Sequence, residues 1–443
     1  MRLADKFFSL FQRDVVLYFS TLLTGVVIAR TLGPEMMGVW TILLLIPGYA
    51  EAFGRLQFDV SAVYFLGKRK AGVGEMAFLL HLISLLVAAV ILSVFYLQFE
   101  WLYASLFDKT SVDVRGLAYT VIAIFPLRLL YYNYSYLLIA KEDVKSYNGV
   151  VILQALIGSI GGIFLILALD MGILGAIVGN LTGLVVAIIY AAYKVHKIEA
   201  MRIMLRLDLM CEMSKYALKH YAGGVTGYFH LNVTSLLSAS YMLPAQIAFY
   251  ALGKSISEVA TRMVPVAVNT ILFPRVSQSN DAKASGMLVA RLFRVTFIIL
   301  LAMSLGLAIF IKPVIYLLYG ASYYPLIVPF LIMIPSVVLV QAATVFLSYF
   351  SGQGRPDLIV KVSVAPLVIQ CAAAVMLVPK WMELGAAMSF SLAAFLLFLL
   401  QLRGFLKLSG LPALELLPQM DDVATILKFG REKLASIGLK KIG

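Results

Sequence analysis

Seven charged residues lie inside long apolar stretches of this chain, and they restrict the folds that the sequence can adopt. They form two triads spaced at i, i+4 and i+8 and one single residue, namely Glu51, Arg55 and Asp59; Lys254, Glu258 and Arg262; and Arg128. A charge at the centre of a bilayer costs roughly 2.5–3.5 kcal/mol, so seven charges facing lipid would cost on the order of 20 kcal/mol. We therefore expect these side chains to face the hydrated interior of a helix bundle, which is typical of a transport pathway.

The composition excludes a soluble globular domain. Of the 443 residues, 62% are hydrophobic and 13% are charged, and the mean hydropathy is +0.94. Only helices and closed barrels satisfy the backbone in lipid, and these apolar runs are too long for barrel strands. The sequence predicts an all-α polytopic membrane protein with about twelve transmembrane helices. The predicted spans lie at about 12–33, 36–66, 75–98, 116–140, 146–169, 172–193, 216–242, 246–274, 289–311, 325–350, 358–379 and 384–402.

The spans fall into two sets of six on either side of a polar stretch. Because six is even, the two halves would have the same orientation and would be pseudo-repeats about an axis along the membrane normal. We expect an N-terminal six-helix bundle (1–193), a cytoplasmic linker (194–215), a C-terminal six-helix bundle (216–402) and a cytoplasmic tail (403–443). Within the tail, 423–437 is either an interfacial helix or a disordered segment.

The distribution of basic residues predicts the orientation in the membrane. With the N-terminus in the cytoplasm, cytoplasmic segments hold 27 of the 36 Lys and Arg residues, and outer segments hold five. This asymmetry is the positive-inside pattern and predicts that both termini are cytoplasmic, in a cell (inner) membrane. The net charge of +13 then reflects topology and contact with anionic membrane lipids, and we expect no nucleic acid partner.

Metal and catalytic motifs are missing from the sequence. Cys211 and Cys371 lie in the polar linker and in an apolar span, and the four histidines show no metal-ligand spacing. The sequence also contains no nucleotide-binding loop and no nucleophile–base pair. We therefore expect no metal site, no cofactor and no enzymatic activity.

The intramembrane bases are candidates for binding an anionic group. Arginine suits phosphate because its planar guanidinium forms two parallel hydrogen bonds and stays charged when partly desolvated. The candidates are Arg30 at the outer end of the first span, Arg55, Arg128, Lys254 and Arg262. Within each triad, however, neighbours at i, i+4 can neutralise one another, so a purely structural charge network is the alternative.

The intramembrane acids Glu51, Asp59 and Glu258 are candidates either for this charge network or for coupling to a proton or sodium gradient. Aromatic and amide side chains in the fourth and seventh spans are candidates for sugar contact, with ordinary helix packing as the alternative. These residues are Tyr131, Tyr132, Asn133, Tyr228 and Asn232.

Three segments of the sequence carry a family resemblance. Residues 29–38 read ARTLGPEMMG and resemble the ARxLGPxxxG stretch that ends the first helix of polysaccharide-biosynthesis flippases of the Wzx (O-antigen) type. Residues 252–275 resemble the eighth helix of these proteins, and 352–356 resemble the turn before their eleventh helix. The similarity extends over about residues 10–400. It identifies the chain as a member of the multidrug/oligosaccharidyl-lipid/polysaccharide exporter superfamily, whose members have two bundles of six helices.

The resemblance implies a function. Members of this family move a polyprenyl-diphosphate-linked oligosaccharide from the inner to the outer leaflet by alternating access, for cell-surface polysaccharide biosynthesis. Basic cavity residues hold the headgroup, a role that would fall here to Arg30, Arg55, Arg128, Lys254 and Arg262. The partners would be this lipid, other membrane lipids and other polysaccharide-assembly membrane proteins. Two alternatives remain open at this point, a drug/cation antiporter of the same superfamily and a membrane polysaccharide polymerase or ligase.

Overall fold

The computed structural model describes residues 3–278, 281–355, 357–419 and 421–422. Within these ranges the regular elements are thirteen α-helices and two short 3₁₀ segments, Ala321–Leu326 and Ala413–Leu416, with no β-strand. The α-helices are α1 (Leu3–Gly54), α2 (Phe58–Gly67), α3 (Val73–Leu97), α4 (Phe99–Phe107), α5 (Arg115–Ala123), α6 (Phe125–Ala140), α7 (Val144–Leu169), α8 (Gly172–Ile198), α9 (Leu207–Ala239), α10 (Pro244–Gln278), α11 (Ala282–Leu318), α12 (Ile327–Gly352) and α13 (Asp357–Ser409).

Every predicted span coincides with helix, so the predicted fold class is confirmed. The second span comprises the end of α1 together with α2, and the fourth comprises α5 and α6. Helix α1 contains the first span and the first part of the second, joined at a kink, and α13 contains the last two spans, also joined at a kink. The described chain thereby forms twelve membrane-crossing segments. Seven of the described helices are long and apolar enough to cross a bilayer by composition alone. The chain is a multi-pass helical membrane protein.

The kink in α1 lies within the ARTLGPEMMG segment. Gly33 has a φ of +77°, in the left-handed region that glycine adopts without a steric penalty. Pro34 follows, and its fixed φ suits the first position of a new helical segment. Gly38 lies so close to the carbonyl of Pro244 that a Cβ atom there would overlap it. The two glycines of this segment thus have two structural roles, a turn at Gly33 and a close backbone approach at Gly38.

The chain divides into two compact units. The first comprises residues up to Ala248 together with Leu318–Ser322, and the second comprises Phe249–Leu317 and the chain from Tyr323 onward. Helix α9 belongs to the first unit, and only 199–206 separate it from α8. The predicted linker and bundle boundaries remain predictions, and the amphipathic stretch at 423–437 lies outside the described residues.

The first unit has an apolar core between α2, α3 and α6–α9, which includes the fully buried Met76, Leu137, Ala191 and Met213. In the second unit, aromatic rings stack between α11, α12 and α13. Phe346 is central to this stack, with ring centroids 5.0 Å from Phe293 and 4.6 Å from Phe405. Large apolar side chains thus hold each unit together by itself.

Helices α7 and α8 pack through glycines on both surfaces. A Cβ atom on Gly179 would overlap the backbone N and Cα of Gly162 and would lie 2.8 Å from the carbonyl oxygen of Gly158. In lipid the hydrophobic effect does not drive helices together, so they associate largely through dispersion contacts. Small residues at this spacing allow the close approach that such contacts need.

We expect Gly179→Ala to lower the free energy of unfolding by about 1–3 kcal/mol or more, because the neighbouring backbone cannot move aside. Gly161→Ala is the control, since its Cβ would meet only the Cα of Gly179 at 3.7 Å, an ordinary contact. Thermal unfolding of both variants in detergent measures the difference. Equal losses of stability would contradict the close packing of α7 on α8.

Candidate functional site

The first charge triad surrounds a break in the second membrane-crossing segment. Helix α1 ends at Gly54 and α2 begins at Phe58. Between them, Leu56 and Gln57 have φ values of +48° and +60°, a left-handed conformation that non-glycine residues rarely adopt. Broken helices at membrane depth occur where the freed backbone is buried in protein or lines a cavity. This break therefore marks a candidate binding region near the middle of the span.

Glu51 is the acceptor shared by two residues of α6. Arg128 donates to Glu51 Oε1 at 2.5 Å, and the Tyr132 hydroxyl donates to Glu51 Oε2 at 2.8 Å. The side chains of Arg128 and Glu51 are 27% and 12% exposed, so the pair is largely shielded from the surroundings. The isolated Arg128 of the sequence is thus paired in three dimensions with the first triad.

Arg55 and Asp59 form the second ion pair. Both Nε and Nη2 of Arg55 donate to Asp59 Oδ2, the Nε at 3.0 Å, and the Asp59 side chain is only 3% exposed. The guanidinium of Arg55 also lies over two rings of α6, 4.0 Å from the centroid of Tyr132 and 5.4 Å from that of Tyr136. Tyr132 therefore touches both ion pairs and joins them into one network.

The network combines two cations, two anions and two tyrosines, so its formal charge is zero. On α6, Arg128, Tyr132 and Tyr136 are spaced at i, i+4 and i+8 and share one face, opposite the similarly spaced Glu51, Arg55 and Asp59. This spacing in α6 was the signal that could have predicted Tyr136, which was not among the sequence candidates.

A polar cavity of about 310 Å³ adjoins the network between α1, α6, α7 and α8. Its wall includes two groups that were not sequence candidates, the Arg13–Asp14 ion pair at 2.6 Å and Tyr147, whose ring lies 5.3 Å from the Arg13 guanidinium. Candidate residues on the same wall are Arg128, Tyr131 and Tyr132. The available sequence signal for Arg13 and Asp14 was their charge at the start of the first predicted span, 12–33.

The second triad lies in the second unit. Lys254 pairs with Glu258 at 3.3 Å, and its ammonium lies 5.3 Å from the ring centroid of Phe390 on α13. Lys254 is 9% exposed as a residue, whereas Arg262 is exposed. The triad of Lys254, Glu258 and Arg262 has a formal net charge of +1.

The remaining candidates are placed as follows. Arg30, also exposed, donates to the backbone carbonyl of Leu318 at 2.9 Å within the first unit. Asn133 is buried and donates to Leu80 O and to Ser84 Oγ of α3, so its amide serves helix packing. The Asn232 amide donates to the carbonyl of Tyr228, four residues earlier in α9.

Tyr228 connects α9 to the region of the network. Its hydroxyl packs so closely on Gly48 that a Cβ there would overlap it. Its ring meets Tyr49 edge to face with centroids 5.0 Å apart. Gly48 precedes Glu51 by three residues, so the two share a face of α1. Among the sugar-contact candidates, the structure thus brings Tyr131, Tyr132 and Tyr228 near the ion pairs.

Solved structures of membrane transporters share this fold. The inward closed conformation of the lipid II flippase MurJ superposes with a TM-score of 0.74 and 14% identity, over 90% of each chain. An inward-facing multidrug MATE transporter of the MOP superfamily gives a TM-score of 0.71 and 17% identity, over 89% of this chain and 96% of that chain. A MOP superfamily transporter from Pyrococcus furiosus, with a binding pocket of reverse polarity, gives a TM-score of 0.62 and 16% identity, over 90% and 93%.

No curated protein matches the chain significantly. A family model does match, that of the polysaccharide biosynthesis proteins, over residues 27–328. This range includes the whole ARTLGPEMMG segment, both charge triads and Arg128. The family resemblance that the sequence motifs indicated is therefore confirmed, and the chain belongs to the polysaccharide biosynthesis protein family.

Proposed function

We propose that this protein is a flippase, not an enzyme, and that it moves a polyprenyl-diphosphate-linked oligosaccharide across the membrane by alternating access of its two bundles. The observation that carries the proposal is the network of Glu51, Arg55, Asp59, Arg128 and Tyr132 at a break in a membrane-crossing segment, beside a polar cavity. Ionisable groups at membrane depth are costly, and they mark substrate or ion pathways.

The two arginines are suited to the diphosphate. A guanidinium binds phosphate oxygens with two parallel hydrogen bonds, as it binds a carboxylate. A diphosphate entering the network would replace Glu51 as the partner of Arg128 and Asp59 as the partner of Arg55. Tyr131, Tyr132 and Tyr228 would then offer ring faces and hydroxyls to the first sugars. In the second unit, Lys254 and Arg262 would hold the same headgroup in another stage of the cycle.

This exchange provides a route to ion coupling. A buried carboxylate that loses its cationic partner is strongly destabilised, on the order of 3–5 kcal/mol. Glu51 or Asp59 would therefore take up a proton, or a sodium ion would approach it, when the diphosphate binds. Glu258 would do the same in the second unit. A proton or sodium gradient would thereby drive the cycle without any bound cofactor.

The basic residues suggest the arrangement of this flippase in the cell. The positive-inside pattern supports cytoplasmic termini, and we assign the protein to the cell (inner) membrane. Its substrate would enter from the inner leaflet, and other polysaccharide-assembly membrane proteins would supply and consume it.

Reconstituted protein tests the function directly. Liposomes carry a fluorescent polyprenyl-diphosphate oligosaccharide, and an impermeant quencher measures the fraction of headgroups in the outer leaflet. We expect the protein to expose inner-leaflet lipid to the quencher, with and without an imposed proton or sodium gradient as separate arms. No protein-dependent exposure under any gradient would overturn the flippase proposal.

Removal of the Glu51 charge should tighten binding of the headgroup. In the proposed exchange the diphosphate replaces Glu51 as the partner of Arg128, and a neutral glutamine competes less well for that guanidinium. Glu51→Gln should therefore lower the Kd of a short-chain polyprenyl diphosphate by about tenfold, equivalent to about 1.4 kcal/mol. Equilibrium titration of the purified variants measures this change. Asp113→Asn, which alters an exposed carboxylate between α4 and α5, is the control, and an unchanged Kd in Glu51→Gln would exclude the exchange at Arg128.

A drug/cation antiporter is the second candidate, favoured by the similarity to the MATE transporter fold and by the intramembrane acids. An antiporter would export organic cations in exchange for an ion. It would not bind a diphosphate through Arg55 or Arg128. The same liposomes loaded with a fluorescent cation distinguish the two functions. The third class, a polysaccharide polymerase or ligase, predicts formation of new glycosidic bonds when two lipid-linked oligosaccharides are mixed with the protein.

A further inference from the structure

A second cavity of the first unit has the opposite chemistry to the polar one. This apolar pocket has a volume of about 350 Å³ and lies between α1, α3, α4, α5 and α9. Its walls include Leu45, Ile46, Phe53, Val94, Trp101 and Phe229, and nearly all of its lining is apolar. The volume lies within the range of roughly 300–1,000 Å³ that is usual for ligand pockets.

The apolar pocket opens on the outer surface of the unit. Phe53, Val94 and Trp101 at its rim are 43%, 53% and 69% exposed, whereas Leu45 and Ile46 at its base are buried. Exposed apolar side chains on a membrane-crossing bundle are suited to contact with lipid hydrocarbon. The rim of the apolar pocket therefore has the chemistry to admit a hydrocarbon chain.

One helix separates the apolar pocket from the ion-pair network. Phe53 follows Glu51 by two residues, and these positions lie on roughly opposite faces of α1. Two neighbouring residues of α9 also lie on the two sides. Tyr228 packs on Gly48, on the side of the network, whereas the Phe229 ring lies 5.1 Å from Tyr49 and 5.6 Å from Phe53, on the side of the apolar pocket. The charged and the apolar sites are thus about one helix diameter apart, roughly 10–12 Å.

We propose that the apolar pocket binds part of the polyprenyl chain while the diphosphate occupies the ion-pair network. This inference rests on the proposed flippase function and deepens it by assigning a site for the tail. An amphiphilic ligand needs a charged site and an apolar site within the reach of one molecule, and the two cavities of this unit meet that requirement.

The depth of the network favours a transported lipid over a resident phospholipid. Glu51 lies near the middle of the predicted span 36–66, and a bilayer core about 30 Å thick places the surface roughly 15 Å away. The headgroup of a phospholipid at that surface does not contact charged side chains at mid-depth. A lipid in transit has its headgroup near mid-depth, and its tail must leave the protein from there into the bilayer. The aromatic rings of Phe53, Trp101 and Phe229 provide broad walls for a methyl-branched, unsaturated chain.

Photo-crosslinking in nanodiscs tests the tail site. The probe is a polyprenyl diphosphate with a diazirine in its second isoprene unit, and peptide mass spectrometry locates the adduct. We expect labelling of α3 near Val94 and of α9 near Phe229, and competition by unlabelled polyprenyl diphosphate. Val94→Trp should obstruct the rim and reduce labelling by about tenfold, equivalent to about 1.4 kcal/mol. Val90→Trp is the matched control, because Val90 is 61% exposed one turn away on α3 and does not line the pocket.

Three results would overturn the tail site. The first is labelling elsewhere on the protein, and the second is an equal loss of labelling in Val94→Trp and Val90→Trp. The third is equal labelling of the same peptides by a diazirine phospholipid that polyprenyl diphosphate does not displace. The liposome assay separates this inference from the flippase proposal. Flipping without competed labelling would reject only the tail site, whereas competed labelling without flipping would support lipid binding and reject the transport step.

Discussion

Arg128→Ala should abolish flipping and destabilise the protein. The substitution leaves Glu51 buried without its charged partner, and loss of one member of a buried ion pair costs about 3–5 kcal/mol. The Glu51 side chain is only 12% exposed, so water cannot replace the lost guanidinium fully. Tyr132 still donates a hydrogen bond to Glu51, but its hydroxyl carries no charge and compensates only in part. Unfolding in denaturant and the liposome quenching assay measure the two effects separately.

A double variant distinguishes a binding role of Arg128 from a structural one. In Arg128→Met with Glu51→Gln both charges are removed together, so no uncompensated charge remains and most of the stability should return. If Arg128 binds the diphosphate, this stable double variant still fails to flip and no longer binds the headgroup. Recovered flipping would mean that the ion pair only holds α6 against α1, and the anion-binding assignment would be wrong.

Arg30→Ala is the comparison within the same unit. Arg30 is exposed and donates to a backbone carbonyl, so its removal should change stability by less than about 1 kcal/mol. A loss of flipping in Arg30→Ala at unchanged stability would assign Arg30 to the substrate pathway as well.

The sequence predicted the fold well because hydropathy alone governs which segments cross a membrane. Each predicted span corresponds to helix, including the two spans merged in α1 and the two merged in α13. The break at 54–58 was not predicted. Gly54 is a turn signal, but the left-handed backbone falls on Leu56 and Gln57, residue types that rarely adopt it. The packing around the break, such as the close approach of Gln57 to Gly224 on α9, joins residues far apart in the sequence, and no local pattern reports it.

The site was predicted only in part, for a related reason. Spacing along one helix correctly suggested the Arg55–Asp59 and Lys254–Glu258 pairs. The pairing of Arg128 with Glu51 joins residues 77 positions apart and depends on how α6 packs against α1. The same limit explains why Asn133, beside two tyrosines near the network, turns toward α3. Its direction is set by the helix face, which residue type alone does not reveal.

The second large effect is expected at the end of the described chain, where Asp422 is bound to α11. Arg294 donates to both carboxylate oxygens of Asp422, at 2.6 and 3.3 Å, and also to the carbonyl of Glu415 at 2.5 Å. The two side chains are 8% and 2% exposed, so the pair is buried within the second unit. Arg294→Ala should therefore lower the free energy of unfolding by about 3–5 kcal/mol.

A double-mutant cycle in denaturant measures this coupling. Asp422→Ala alone should cost a similar amount, and the double variant should cost clearly less than the two single losses together, because it leaves no unpaired charge. Arg403→Ala, an exposed arginine on α13 of the same unit, is the control and should cost less than about 1 kcal/mol. Additive losses at 294 and 422 would show that the two residues act independently. In that case the segment after α13 would be held to α11 by its apolar contacts, such as that of the buried Leu411 beside Gly286, and not by the ion pair.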